Sequence, residues 1–227
     1  EGGYPHWQPW VFSGMPTAEA FTNISQLYFP EYLFKIFSVP GMFIQISHFL
    51  FCGIGMVLLL RYLGCSYWSS LLGSIGFMVT PYMVTMLVFG HGSQIMTAAY
   101  IPWIVMFAIK LWNDPKILNI GILSLFLGFQ LQRSHVQIAY YTWLLIGAFF
   151  FFKIINITYK SKKLDSIVLR KLAFFAVACI LGLAISFVIY LPSIEYSDFS
   201  IRGASSDGGA KYNYATSWSF HPKEILT

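Results

Sequence analysis

Charge is what this chain has least of. Only 10% of its 227 residues are Asp, Glu, Lys or Arg, where soluble domains carry about 25%. With 57% hydrophobic residues, most of the surface is built not to meet water, which excludes an ordinary soluble domain and implies an integral membrane protein. Cysteine is scarce as well. Cys52, Cys65 and Cys179 lie within or beside apolar runs with no C-x-x-C pair, so neither a thiolate metal centre nor a disulfide framework is indicated. They read as small buried hydrophobes. No basic stripe lies on a soluble face, so the net charge of +5 does not point to nucleic acid. A charged n-region followed by a cleavage site is also missing. The chain opens at Glu1 inside a polar, aromatic segment and stops at Thr227 just after a new segment begins. The expectation is an internal piece of a longer protein.

Aromatic residues are abundant instead: Phe 22, Tyr 14 and Trp 7, as expected where rings sit at two headgroup belts. A spanning helix needs about 20 mostly apolar residues. Runs near 40–60, 67–89, 95–112, 116–132, 136–153 and 170–191 predict about six transmembrane helices in an all-α polytopic bundle. The fourth and fifth runs are separated only by Gln132-Arg133-Ser134-His135, a tight helical hairpin with a polar tip. Residues 1–39 read as an outer loop containing an interfacial helix near 21–38. Residues 40–191 read as the bundle, and 192–227 as a second outer loop leading to a further segment.

Basic residues orient the bundle. Arg61, Lys110, Lys116, Lys153, Lys160, Lys162, Lys163, Arg170 and Lys171 fall on one side, with only Asp114 and Asp165. Glu1, Glu19, Glu31, Glu195, Asp198, Asp207 and Glu224 fall on the other. The expectation is a multi-pass protein of a bacterial cytoplasmic (inner) membrane, with 153–171 cytoplasmic and both 1–39 and 192–227 outside.

Polar residues gathered on one side of a membrane carry the functional signal. His91, Gln94, Arg133 and His135 all fall at the outer ends of spans two to five. One explanation is snorkelling and helix capping at the interface. The other is a phosphate or pyrophosphate site, because a guanidinium binds two oxygens at once and helix ends add free N–H groups. Among the outer acids, Glu31 and Glu224 read as a solvated face. Glu195 and Asp198 follow Leu191-Pro192 at i,i+3 spacing, where they could hold a divalent cation or act as a base. His48 and Gln45 share a face inside the first span, and a satisfied hydrogen bond between helices is the expected role of both. Trp7, Trp10, Tyr212, Tyr214 and Trp218 fit either belt anchors or platforms for a sugar ring.

An ordered set of motifs carries a family resemblance. Trp-x-Pro-Trp-Val-Phe-Ser-Gly-Met-Pro at 7–16, Arg-Tyr-Leu-Gly-Cys-Ser at 61–66 and Gly-His-Gly-Ser-Gln-Ile-Met-Thr-Ala-Ala-Tyr-Ile-Pro at 90–102 resemble the bacterial YfhO-type membrane proteins. So do Gln-Leu-Gln-Arg-Ser-His-Val-Gln-Ile-Ala-Tyr-Tyr at 130–141, Leu-Pro-Ser-Ile-Glu-Tyr-Ser at 191–197 and Thr-Ser-Trp-Ser-Phe-His-Pro-Lys-Glu at 216–224. That family is similar to the GT-C glycosyltransferases, which move a sugar from a polyprenyl-phosphate carrier to an acceptor on the outer membrane face. The resemblance implies a polyprenyl-phosphate-linked sugar and membrane lipids as partners, and a catalytic acid early in the first outer loop. That part of the loop lies before Glu1. Glu19 is the nearest acid left and its spacing does not match, so the candidate acids here are Glu19, Glu195 and Asp198. No cofactor is implied beyond the divalent cation that Glu195 and Asp198 could hold. The alternative is a non-catalytic transporter, or a structural subunit that works with other membrane subunits. A transporter would place polar groups near the midplane, where only Gln45 and His48 qualify.

Overall fold

The computed structural model describes residues 7–10, 14–16, 27–161, 166–197 and 212–217. Glu1, Glu19, Asp198, Asp207 and Glu224 lie outside the described residues, as do Lys162, Lys163, Asp165 and Trp218. The chain divides into two compact units, 23–188 and a smaller one formed by 1–22 with 189–227. In the smaller unit, strand β1 (Trp7–Gln8) pairs antiparallel with β2 (Met15–Pro16).

The larger unit is helical. A short helix α1 (Glu31–Ile36) precedes α2 (Gly41–Tyr62). There follow α3 (Tyr67–Met78), α4 (Pro81–Val88), α5 (Gly92–Ala98) and α6 (Ile101–Asn113). The hairpin partners α7 (Ile117–Gln132) and α8 (Val136–Ser161) come next. Helix α9 (Ser166–Ser197) runs on from this unit into the smaller one, which also holds α10 (Tyr212–Thr216).

Four helical stretches are long and apolar enough to cross a membrane: 43–62, 92–113, 136–159 and 166–197. Helices α3 and α4, bent by 42° at their junction, make a fifth if taken as one broken span. The chain is therefore an all-α membrane protein with four or five such helices among the described residues. The expected run 67–89 is broken because Pro81 opens a new helix at its first turn, where its missing N–H costs nothing. The expected fourth run forms a helix of 16 residues, short of the usual span length.

The stretch 92–113 is the centre of the bundle. Of its apolar window 72% is buried, against 22–28% for the other three long stretches. Those three keep broad apolar faces outward, which is stable in lipid and not in water. Around the centre pack Ile104, Leu111, Leu123, Leu127 and Phe150, all fully buried, with Phe150 and Phe175 stacked at 4.0 Å. Two backbone features shape the polar end. Gly90 takes φ +76° just before His91, and Ser134 takes φ +64° inside the hairpin turn. The second is an uncommon conformation for a residue with a side chain, and it lets α7 reverse into α8 within three residues.

Candidate functional site

Two groups of polar side chains form in the larger unit, and they differ in kind. The first is buried. His48 Nδ1–H donates to the Ile44 carbonyl at 2.7 Å, so in the neutral ring Nε2 is the acceptor. Tyr28 O–H donates to that nitrogen at 2.7 Å, and Tyr100 O–H bonds the Tyr28 oxygen. Burial pushes the Tyr28 phenol up to about 12, which the Tyr100 bond and the Arg133 charge only partly offset. The phenol therefore keeps its proton, and with it the bond to His48, at any physiological pH.

Arg133 completes this group. Its guanidinium lies over the Tyr28 ring, 4.6 Å from the centroid, and 3.8 Å from a Glu31 carboxylate oxygen. Both members of that ion pair are buried, Arg133 at 4% exposure and Glu31 at 7%. Burial lowers the Arg133 pKa from its usual value, and Tyr28 and Glu31 counter that. At 3.8 Å the pair attracts without a direct hydrogen bond, and Arg133 Nε has no partner among the described residues. Gln132 ties the same region together. Its Oε1 accepts from the Phe29 N–H at 3.2 Å and its Nε2 donates to the Ile185 carbonyl at 2.9 Å.

This corrects one expectation. Glu31 is not part of a solvated face, because Arg133, far along the sequence, comes in from the hairpin to meet it. His48 is satisfied by Tyr28, which stands in the segment before α1 and not on a second helix as expected, and the Gln45 side chain has no hydrogen bond among the described residues. Gln45 packs against Gly92, where an added Cβ would meet its Nε2 at 2.7 Å, so the glycine lets α2 and α5 approach closely.

The second group lines an open cleft of about 670 Å³. Gln94 reaches it from the start of α5 and His135 from the turn between α7 and α8, with Tyr82, Gln137, Tyr141 and Thr142 beside them. The remaining walls are apolar apart from Thr80, among them Phe77, Met83, Ile138 and Leu145. Tyr82 O–H donates to Gln94 Oε1 at 3.2 Å, which leaves the amide N–H₂ of Gln94 to point elsewhere. His135 Nδ1 is buried without a partner among the described residues. Its pKa is lowered, first by burial and further by the nearby His91, against the effect of its own backbone bond. His91 itself is exposed at the N-terminus of α5.

Of the four residues expected to hold a phosphate, then, Gln94 and His135 share a cleft and His91 is close enough to His135 to be felt electrostatically. Arg133 is turned into the bundle. Glu195 is exposed near the end of α9, and its expected partner Asp198 is outside the described residues. Among the described residues no three His, Cys, Asp or Glu side chains come together as a cation site would need.

Tyr28 and Tyr100 were not singled out by sequence reasoning. The available signal was the pairing of a lone polar residue inside a span, His48, with the need of every buried polar group for a partner. No family model matches the chain, and no curated protein or solved structure matches it.

Proposed function

We propose that the chain is part of a membrane glycosyltransferase of the GT-C kind, which takes a sugar from a polyprenyl-phosphate carrier. The reading rests on the ordered motifs that resemble YfhO-type proteins, and one structural observation supports it. Gln94 from α5 and His135 from the turn between α7 and α8 line one cleft whose other walls are mostly apolar or aromatic, with Gln137, Thr80 and Thr142 among them. A carrier lipid asks for this combination: donors for a phosphate at one end and hydrocarbon walls for the first part of its chain.

In this reading α7 counts as a crossing and completes a six-span bundle. The cleft, with 1–39 and 192–227, faces outside, and 153–171 is cytoplasmic. A carboxylate removes the proton of the acceptor hydroxyl, whose oxygen attacks the anomeric carbon as the bond to the carrier phosphate breaks. Charge grows on the leaving phosphate oxygen. Gln94 N–H₂, His135 N–H and His91 at the rim stabilise it there, a contribution that is often large in catalysis. Arg133, expected from the sequence to share this role, is assigned to holding Glu31 and Tyr28 in place.

The transporter alternative draws on the polar groups around His48, which lie within a spanning stretch. The donors of Tyr28, His48 and Tyr100 are taken up by one another and by the Ile44 carbonyl, so these three side chains offer little to a passing solute. The test is sugar transfer by the full-length protein in membranes supplied with polyprenyl-phosphate-linked sugars. His135→Ala and Gln94→Ala should each lower turnover by about 10²-fold or more, the usual cost of losing one oxyanion donor. Unchanged turnover in both would remove the cleft from the reaction.

A further inference from the structure

A second cavity, sharing no residue with the cleft, lies where α1, α2, α7 and Tyr100 meet. It measures about 530 Å³, within the range of ligand pockets. Its walls are almost wholly apolar: Phe34 and Phe37 from the α1 side, Phe51 from α2, and Phe126 and Phe129 from α7. The polar groups on its floor are Tyr28, His48 and Tyr100, which are bonded to each other, and Ser47, whose hydroxyl donates to the Ile44 carbonyl at 2.7 Å. Every side-chain donor on this floor is taken up, which leaves only hydroxyl lone pairs to meet a polar ligand, so the cavity favours hydrocarbon.

The rim says where that hydrocarbon comes from. Leu33 (61% exposed) and Phe37 (76% exposed) stand at the mouth, on a short helix whose Tyr32 and Ile36 are exposed too. This is the surface of a helix lying on a membrane. One wall, α2, is itself long and apolar enough to cross one. Lys35 follows Phe34 in this helix, exposed and beside the Tyr32 ring, and gives the helix a cation at its solvent- or lipid-facing surface. We propose that this cavity takes one acyl chain of an anionic bilayer phospholipid, whose headgroup stays at the interface by Lys35. The buried ties of Glu31 to Arg133 and of Phe29 to Gln132 hold α1 in place as the roof.

The test uses the full-length protein in nanodiscs of phosphatidylglycerol carrying a diazirine in mid-chain, followed by mapping of the labelled residues. The expected result is labelling of His48, Phe51, Phe126 or Phe129, in addition to outward faces such as Trp68 and Leu72. Ser47→Leu fills the cavity from α2 and Phe34→Trp fills it from the roof. Displacing the equivalent of two methylenes should lower inner labelling about tenfold relative to the outward faces. Labelling confined to outward faces in the unaltered protein would overturn the proposal, whatever the variants do. So would inner labelling by a photoreactive isoprenoid phosphate with none by the phospholipid. Neither outcome depends on sugar transfer, so the cavity and the cleft can fail separately.

Discussion

The two polar groups of the larger unit use similar residues in opposite ways. Around Tyr28 the histidine and the phenols have partners within the protein, and the arginine has its countercharge and an aromatic face, with its Nε alone left without a partner among the described residues. Around His135 a buried ring nitrogen has none among the described residues, and the amides of Gln94 and Gln137 line open space. A polar group inside hydrocarbon is costly unless it is paired. The first group therefore reads as structure and the second as a place prepared for something else. The same residue types, at similar positions in the sequence pattern, part company only when their neighbours are known.

The largest effect should come from the ion pair. Arg133→Ala would leave Glu31 buried and unpaired, at a cost of about 3 kcal/mol, the low end for a broken buried pair because the charges are 3.8 Å apart. The thermal midpoint in detergent should fall clearly. Adding Glu31→Leu to an Arg133→Met variant should recover much of the loss, since replacing both members of a buried pair is often close to neutral. If Arg133→Ala melted like the unaltered protein, the guanidinium would not be holding the fold, and a role toward a ligand would return.

Next in size is Tyr28→Phe. It keeps the ring beneath Arg133 but removes the hydroxyl that links Tyr100 to His48. An acceptor nitrogen left unsatisfied in the interior costs about 1–3 kcal/mol. The same assay checks it, and a change well below that range would mean that water or another group replaces the phenol.

How far these residues could be read from the sequence depended on distance along the chain. Local signals carry four of the six expected spans and the tight turn at 132–135, because apolar runs and a polar tip are properties of neighbours. Pro81 carries the break between α3 and α4 as well, but a long apolar run around it hides that break. The ion pair could not be read. Glu31 stands in an aromatic segment near an interface, where a lone acid normally faces water, and its partner belongs to another hairpin. For the cleft, the types of Gln94 and His135 and their places at the ends of apolar runs are legible, and their opening into one space is not. Arg133 belongs to the same tip as His135, yet its side chain packs on Tyr28 and Glu31, which sequence neighbourhood does not show.

The smallest effect concerns pH. The folded-state pKa of His135 is lowered, chiefly by burial, so the folded protein binds this proton less readily than the unfolded chain does. Its contribution to stability is whole above the unfolded value of about 6.5 and is lost as pH falls from there toward the folded value. A thermal midpoint that drops between about pH 7 and 5 should therefore drop less in His135→Asn. Identical profiles would show that this ring is as well hydrated in the folded protein as in the unfolded one.

The sharpest comparison pairs binding with stability in the same two variants. Full-length protein would be titrated with polyprenyl phosphate while its thermal midpoint is followed separately. The expected result is that His135→Ala loses most of the binding while its stability stays within about 0.5 kcal/mol, whereas Tyr28→Phe loses stability and binds as before. The reverse pattern, with binding lost in Tyr28→Phe and kept in His135→Ala, would contradict the division of the polar residues into a structural group and a receptive one.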